Sequence, residues 1–175
     1  MRRKLSVVLV MIVVLSLAAI APVNAKAPLV GEMDLEFNLA WPGPQDVVPD
    51  WVGTVTFDGD EFGIAFFLLG TGKPFEVDPP GQAGFFGEIW RIYDGLDYEL
   101  VDGVLTVFEP GPVVMWGYDT GMVSLKNSKY HMNGSVEYAG HDFEEWLGRS
   151  VHMGGVIEWY DFGAPQFAPG TFRLN

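Results

Sequence analysis

The chain has 175 residues, 10 Lys+Arg against 23 Asp+Glu, a formal charge of −13, and no cysteine. That length suits one domain with a proper core, and the charge repels nucleic-acid phosphates and anionic lipid headgroups, so neither nucleic acid nor a membrane surface is an expected partner. The lack of cysteine excludes disulfides, thiol catalysis, Cys-based zinc sites, Cys-linked haem and a lipoprotein anchor.

Arg2, Arg3 and Lys4 precede an apolar run over 5–20, and Val23-Asn24-Ala25 ends on small residues just before Lys26. This is the layout of a secretory signal peptide. The expectation is a leader over 1–25 and a single β-barrel domain over 26–175 that works outside the cytoplasm. An uncleaved leader would be an N-terminal anchor with the domain on the same outer side. Three of the ten cations and none of the acids lie in the leader, which leaves seven against 23, or −16, for the rest.

From Lys26 onward the pattern is that of strands and turns. Residues 31–39 alternate, with Met33, Leu35, Phe37 and Leu39 on one face and Glu32, Asp34, Glu36 and Asn38 on the other, as in a half-buried strand. Residues 41–50, with three prolines, form a loop. Strands over 51–57 and 62–69 flank Asp58-Gly59, a hairpin signal. Residues 70–84 read as a long Gly/Pro-rich loop, of the kind that often serves as a lid. A fourth strand over 86–93 ends at Asp94-Gly95, and 98–101 and 104–108 flank Asp102-Gly103. Strands over 113–118 and 122–125 are separated by a turn at Asp119-Thr120-Gly121, and 129–132 and 135–138 flank Asn133-Gly134, the strongest two-residue hairpin signal in the chain. Residues 142–147 suggest one helical turn capped by Asp142. The strand over 150–159 carries Gly154-Gly155, which suggests a bulge or bend, and 171–174 is the last strand.

Tight turns between sequence neighbours indicate an all-β antiparallel meander, and about eight strands avoid exposed edges best by closing into a barrel. The expected shape is similar to lipocalin-like or allene-oxide-cyclase-like barrels, although the Gly-x-Trp start of lipocalins is absent from the first strand. The alternative is a β-sandwich.

Few residues carry a chemical signature. No serine lies in a Gly-x-Ser-x-Gly elbow, and Gly70-Thr71-Gly72-Lys73 departs from a phosphate loop at Phe67 and Pro74. No cofactor is expected. His131, His141, His152, Asp142 and Glu158 are donor types that metals accept, but no two histidines have the spacing that aims imidazoles together, so no metal site is expected. Asp58-Gly59-Asp60-Glu61 lacks the spaced ligands of an EF-hand. Asn133-Gly134-Ser135 is a glycosylation sequon. The aromatics offer the best ligand argument. Trp90, Arg91, Tyr93 and Trp116 are the candidate ligand-binding residues, the arginine clamping an acidic head group beside an aromatic wall. Glu88 and His152 are the weaker candidates for acid/base catalysis.

Three readings follow. The first is a secreted barrel that binds a small apolar or amphipathic ligand, and is not an enzyme. The second is a barrel-type cyclase or isomerase. The third is a structural or interaction protein of the cell envelope. An interior plugged by side chains would sink the first, whose ligand enters at the barrel mouth beside the 70–84 loop, and an inward Glu88 with a raised pKa beside a cavity would favour the second.

Overall fold

The computed structural model describes residues 27–40, 47–69, 83–124, 126–140, 142–161 and 163–175. The leader, most of the 70–84 loop and His141 lie outside them. Twelve strands follow in order: β1 (Leu29–Phe37), β2 (Trp51–Phe57), β3 (Asp60–Leu68), β4 (Ala83–Tyr93), β5 (Leu96–Val101), β6 (Val104–Pro110), β7 (Val113–Ser124), β8 (Lys129–Ala139), β9 (Ser150–Val156), β10 (Glu158–Trp159), β11 (Pro165–Phe167) and β12 (Gly170–Leu174). Eight of these close into an antiparallel barrel in the order β1-β2-β3-β4-β7-β8-β9-β12, with β12 returning to β1. Closure rests on two ladders of β1, one from Gly31↔Phe57 to Phe37↔Trp51 and the other from Leu29↔Leu174 to Met33↔Gly170.

The alternation of β1 holds: Met33 and Leu35 are buried inward while Glu32 and Asp34 face water. The same parity sends Val55, Ile64, Phe66, Trp90, Ile92, Met115, Met132, Val151, Met153 and Phe172 into one interior core. One end is filled by rings, Phe57 against Phe172 at 5.7 Å and Phe62 against Phe143 at 5.6 Å between centroids. An apolar inside and a charged outside is the reverse of a membrane-spanning barrel. No helix among the described residues is long and apolar enough to cross a membrane.

Asp58-Gly59 and Asp102-Gly103 form the expected hairpin turns, each with positive φ at both residues, as a type I′ turn requires. The second joins β5 to β6, which pair only with each other. This hairpin lies outside the barrel and sets Phe108 against Phe67 and Tyr93 at 6.3 and 6.2 Å. It is fastened by buried Asn38, whose Oδ1 accepts from the backbone N–H of Leu105 at 3.1 Å, and by Tyr98, whose hydroxyl donates to Glu36 Oε1 at 3.0 Å.

Four local expectations are corrected. Asp119-Thr120-Gly121 is not a turn but the middle of β7, paired with β4 on one side and β8 on the other. Asn133-Gly134 is likewise mid-strand in β8. Two flanking ladders outweigh local turn preference, and the glycines serve the interior instead. A Cβ on Gly117 would come within 2.5 Å of the Trp90 ring, one on Gly121 within 2.5 Å of Met132 Cγ, and one on Gly134 would strike the Tyr118 carbonyl. Gly154-Gly155 makes no bulge: β9 keeps unbroken register with β8 and β12, and Gly155 is bare because the Pro169 carbonyl, the Gly170 backbone and the Tyr130 ring occupy its side-chain space. Asp142 is not a cap: Phe143 precedes the 3₁₀ turn Glu144–Trp146, with no side-chain cap bond.

Candidate functional site

Strand alternation separates the residues expected to act together. On β4, Glu88 and Trp90 point into the barrel at 2 % and 0 % exposure, while Arg91 and Tyr93 lie on the outer face. Trp116 of β7 is also outside. His152 faces solvent from β9, where its Nδ1 lies 2.6 Å from Asn133 Oδ1. Trp90 is thus parted from the other three candidate ligand residues by the sheet itself.

The outer three, by contrast, meet. A groove of about 380 Å³ runs over β4 and β7, lined by Ile89, Arg91, Val113, Trp116, Tyr118 and Tyr138. A register shift between Trp116 and Gly117 sets Tyr138 of β8 opposite Trp116, and Trp116 and Tyr118 meet edge to face at 5.5 Å. The guanidinium of Arg91 lies 4.4 Å from the Phe67 ring centre and beside the Tyr93 phenol. Burial pushes the Tyr93 phenol up, and the Arg91 charge pulls partly against it. Contact with an aromatic face and a phenol fixes the arginine without neutralising it. Among the described residues, no carboxylate pairs with it.

Inside the barrel the chemistry is reversed. Glu88 of β4 stands directly opposite Asp119 of β7 in the ladder, and both side chains are interior. Directly opposed residues sit about 5 Å apart at Cβ. Asp50 joins them from the residue before β2, held by its N–H to the Phe66 carbonyl at 3.0 Å and its carbonyl to the Asn38 N–H at 2.8 Å. The three acids are 2–4 % exposed. The Glu88 and Asp50 side chains interact closely enough to raise the Glu88 pKa. Burial, then the Asp50 and Asp119 charges, hold the Glu88 carboxyl well above the usual carboxylate range. Burial and then Asp50 do the same for Asp119. Neither oxygen of Asp119 meets a donor among the described residues, and Trp90 Nε1 meets no acceptor.

Beside Glu88 is a cavity of about 20 Å³, lined also by Leu35, Trp51, Phe66, Tyr130, Met132, Ile157 and Ala168. This is room for about one water molecule. The buried side chains of the interior core surround it. Tyr130 closes one wall by donating to the Ala168 carbonyl at 3.2 Å, and burial and the Glu88 charge push its phenol upward.

His131 and His152 face outward from β8 and β9, and Asp142 and Glu158 are exposed. Among the described residues, no three of His, Asp and Glu are placed to hold one metal ion. Sequence reading missed Asp50, taken as loop, and Asp119, taken as turn. The available signal was Glu88, an acid in phase with Trp90 and Ile92 on a strand whose inner face is otherwise apolar. No family model, curated protein or solved structure matches the chain at a significant level.

Proposed function

We propose that this protein is a secreted ligand-binding barrel that takes a small amphipathic molecule with an acidic head group in the outer groove, not in the lumen. The observation that carries this reading is Arg91: in a chain with 23 acids it is fixed by Phe67 and Tyr93, lacks a carboxylate partner among the described residues, and opens on a groove walled by Trp116, Tyr118 and Tyr138. An arginine so placed suits a carboxylate or sulfonate, and the rings suit an apolar body. Among the described residues, the cavity beside Glu88 has space for one water and supports no apolar ligand of ordinary size.

The test compares two fluorescent probes with the same ring systems, anilinonaphthalene sulfonate and neutral phenylnaphthylamine. The anion binds more tightly to the native protein. Arg91→Gln weakens the anion about tenfold or more, leaves the neutral probe unchanged, and leaves the melting temperature near its original value. Equal affinity of both probes, or no effect of Arg91→Gln, sinks the reading. A second reading, an acid/base barrel of cyclase or isomerase type, has an inward Glu88 with a raised pKa beside a cavity in its favour and the size of that cavity against it. The envelope-protein reading rests only on exposed apolar side chains such as Val30, Val101 and Phe167, which lie on separate strands.

A further inference from the structure

Neither a neighbour nor the backbone requires a glycine at position 87. Gly87 lies inside β4 with φ outside the left-handed region, and a Cβ on it would meet nothing closer than the Asp119 carbonyl oxygen at 3.6 Å and Thr120 Cγ2 at 3.7 Å. Every other strand glycine whose surroundings the structure describes has an atom 3.3 Å or less from its Cβ position. A glycine weakens a strand, and one that nothing local explains suits a place where a ligand approaches the backbone closely. Gly87 shares the outer parity of Ile89 and Arg91. It stands opposite Thr120 of β7, and its carbonyl accepts from the Leu69 N–H at 3.0 Å. The bare backbone therefore continues the groove along β4, past Ile89 and Tyr118 and away from Arg91. Exposed apolar side chains continue with it: Leu69, just after β3, is 37 % exposed, and Met122, two residues beyond Thr120, is 38 % exposed.

We propose that the strip running from Arg91 over Gly87 to Met122 is a tail channel, that its ligand is an anionic amphiphile with one head and a straight hydrocarbon chain, and that Gly87 sets the length of chain that binds. The proposal rests on the reading of the groove given above and names its ligand class. The fixed charge stands at one end of the strip, at Arg91, and the exposed apolar side chains Leu69 and Met122 at the other, so the occupant is charged at one end only. Arg91 and Gly87 are four strand residues apart, about 13 Å, which about ten methylenes span at roughly 1.3 Å each. The carboxylate lies on Arg91, the first part of the chain beside Ile89 and Tyr118, and the remainder on the bare backbone of Gly87. A larger residue at 87 projects outward into this path and shortens it.

The experiment displaces anilinonaphthalene sulfonate from the full chain with hexanoate, octanoate, decanoate and dodecanoate, each below its micelle concentration, at about pH 8, where all four are ionised. In the wild type, affinity rises through dodecanoate by about twofold per methylene, the factor for a methylene half removed from water. Gly87→Val flattens the series beyond octanoate and weakens dodecanoate about tenfold. Gly87→Ala flattens it less and raises the melting temperature by about 1–4 °C, because the added methyl has room; affinity lost in a more stable protein is not lost folding. Arg91→Gln weakens every member by a similar factor and keeps the slope. Should Gly87→Val not fold, Gly87→Ala decides together with the wild-type series. A wild-type series that stops rising at octanoate, or a Gly87→Val series as steep as the wild type, overturns the tail channel, and the groove reading survives as long as Arg91→Gln still weakens octanoate. Indifference of every member to Arg91→Gln sinks the groove reading itself. A wild-type chain that binds no carboxylate and is dimeric by light scattering overturns the proposal and gives the strip to a second copy.

Discussion

Strands β4 and β7 carry opposite chemistry on the two faces of one ladder. Outside are a cation and aromatic rings, with Arg91 beside Trp116 and Tyr118. Inside are acids and a fully buried indole, with Glu88 opposite Asp119 and Trp90 over Gly117. The outer charge is partly open to solvent and leans on Phe67. The inner charges lack that outlet, so they are held near neutrality by protonation. A single residue of strand offset therefore decides whether an ionisable group is available as a fixed charge or as a proton store.

The largest expected effect contrasts the two tryptophans. Trp90→Ala empties the centre of the core and costs about 3–5 kcal/mol. Trp116→Ala loses its edge contact with Tyr118 and its packing on the outer cluster, about 1–2 kcal/mol, yet removes most anionic-probe affinity. Denaturant midpoints and probe titrations of both variants check this. If Trp116→Ala proves as destabilising as Trp90→Ala, the outer rings are core and the groove is not a ligand surface.

The first strand was readable in the sequence, with Met33 and Leu35 alternating with Glu32 and Asp34, and so were the turns at Asp58-Gly59 and Asp102-Gly103, whereas Trp90 and Trp116 were put in one site that the sheet divides. Asn133-Gly134 carries the same turn chemistry and lies mid-strand. What distinguishes it is non-local: β8 is paired along both edges, and Gly134 is small because the Tyr118 backbone occupies its side-chain space. No window of neighbouring residues contains that information. The groove was half legible, since alternation put Arg91 on one face with Ile89, but the approach of Tyr138 depends on a register shift between strands. The acid cluster was least legible. Glu88 signalled itself by its phase with Trp90, whereas Asp119 was absorbed into a turn that does not exist and Asp50 into a proline-rich loop.

A middle-sized effect concerns pH. The carboxyls of Glu88 and Asp119 have folded pKa values raised above those of the unfolded chain. Between the unfolded values, about 4, and the raised folded values, the folded state binds more protons. Stability is therefore greatest below that window and falls as pH rises through it, the opposite of the usual salt-bridged carboxylate. Asp119→Asn removes one of the titrating charges. The variant is expected to resemble the wild type at about pH 4 and to exceed it by about 1–3 kcal/mol at about pH 8 in sodium salts. Urea unfolding of both proteins across this range measures it. A wild-type stability that climbs steadily from acid to neutral pH would mean that the inner acids are ionised and paired, and the contrast between the two faces would fall.

The smallest effect belongs to His152. Its ring hydrogen-bonds Asn133 across β8 and β9, but both residues are exposed, so water replaces either partner at little cost. His152→Ala is expected to change stability by less than about 0.5 kcal/mol and to leave the anionic-probe affinity intact. Its value lies in position: it shares the outward parity of Arg91 and stands on the same barrel, yet no aromatic wall surrounds it and nothing fixes it except one exposed amide. If outward position alone made a binding surface, His152→Ala would weaken the anionic probe as Arg91→Gln does. If the aromatic walls and the Phe67 contact are what make the groove, only the β4–β7 variants respond, and the same pair of titrations decides between the two.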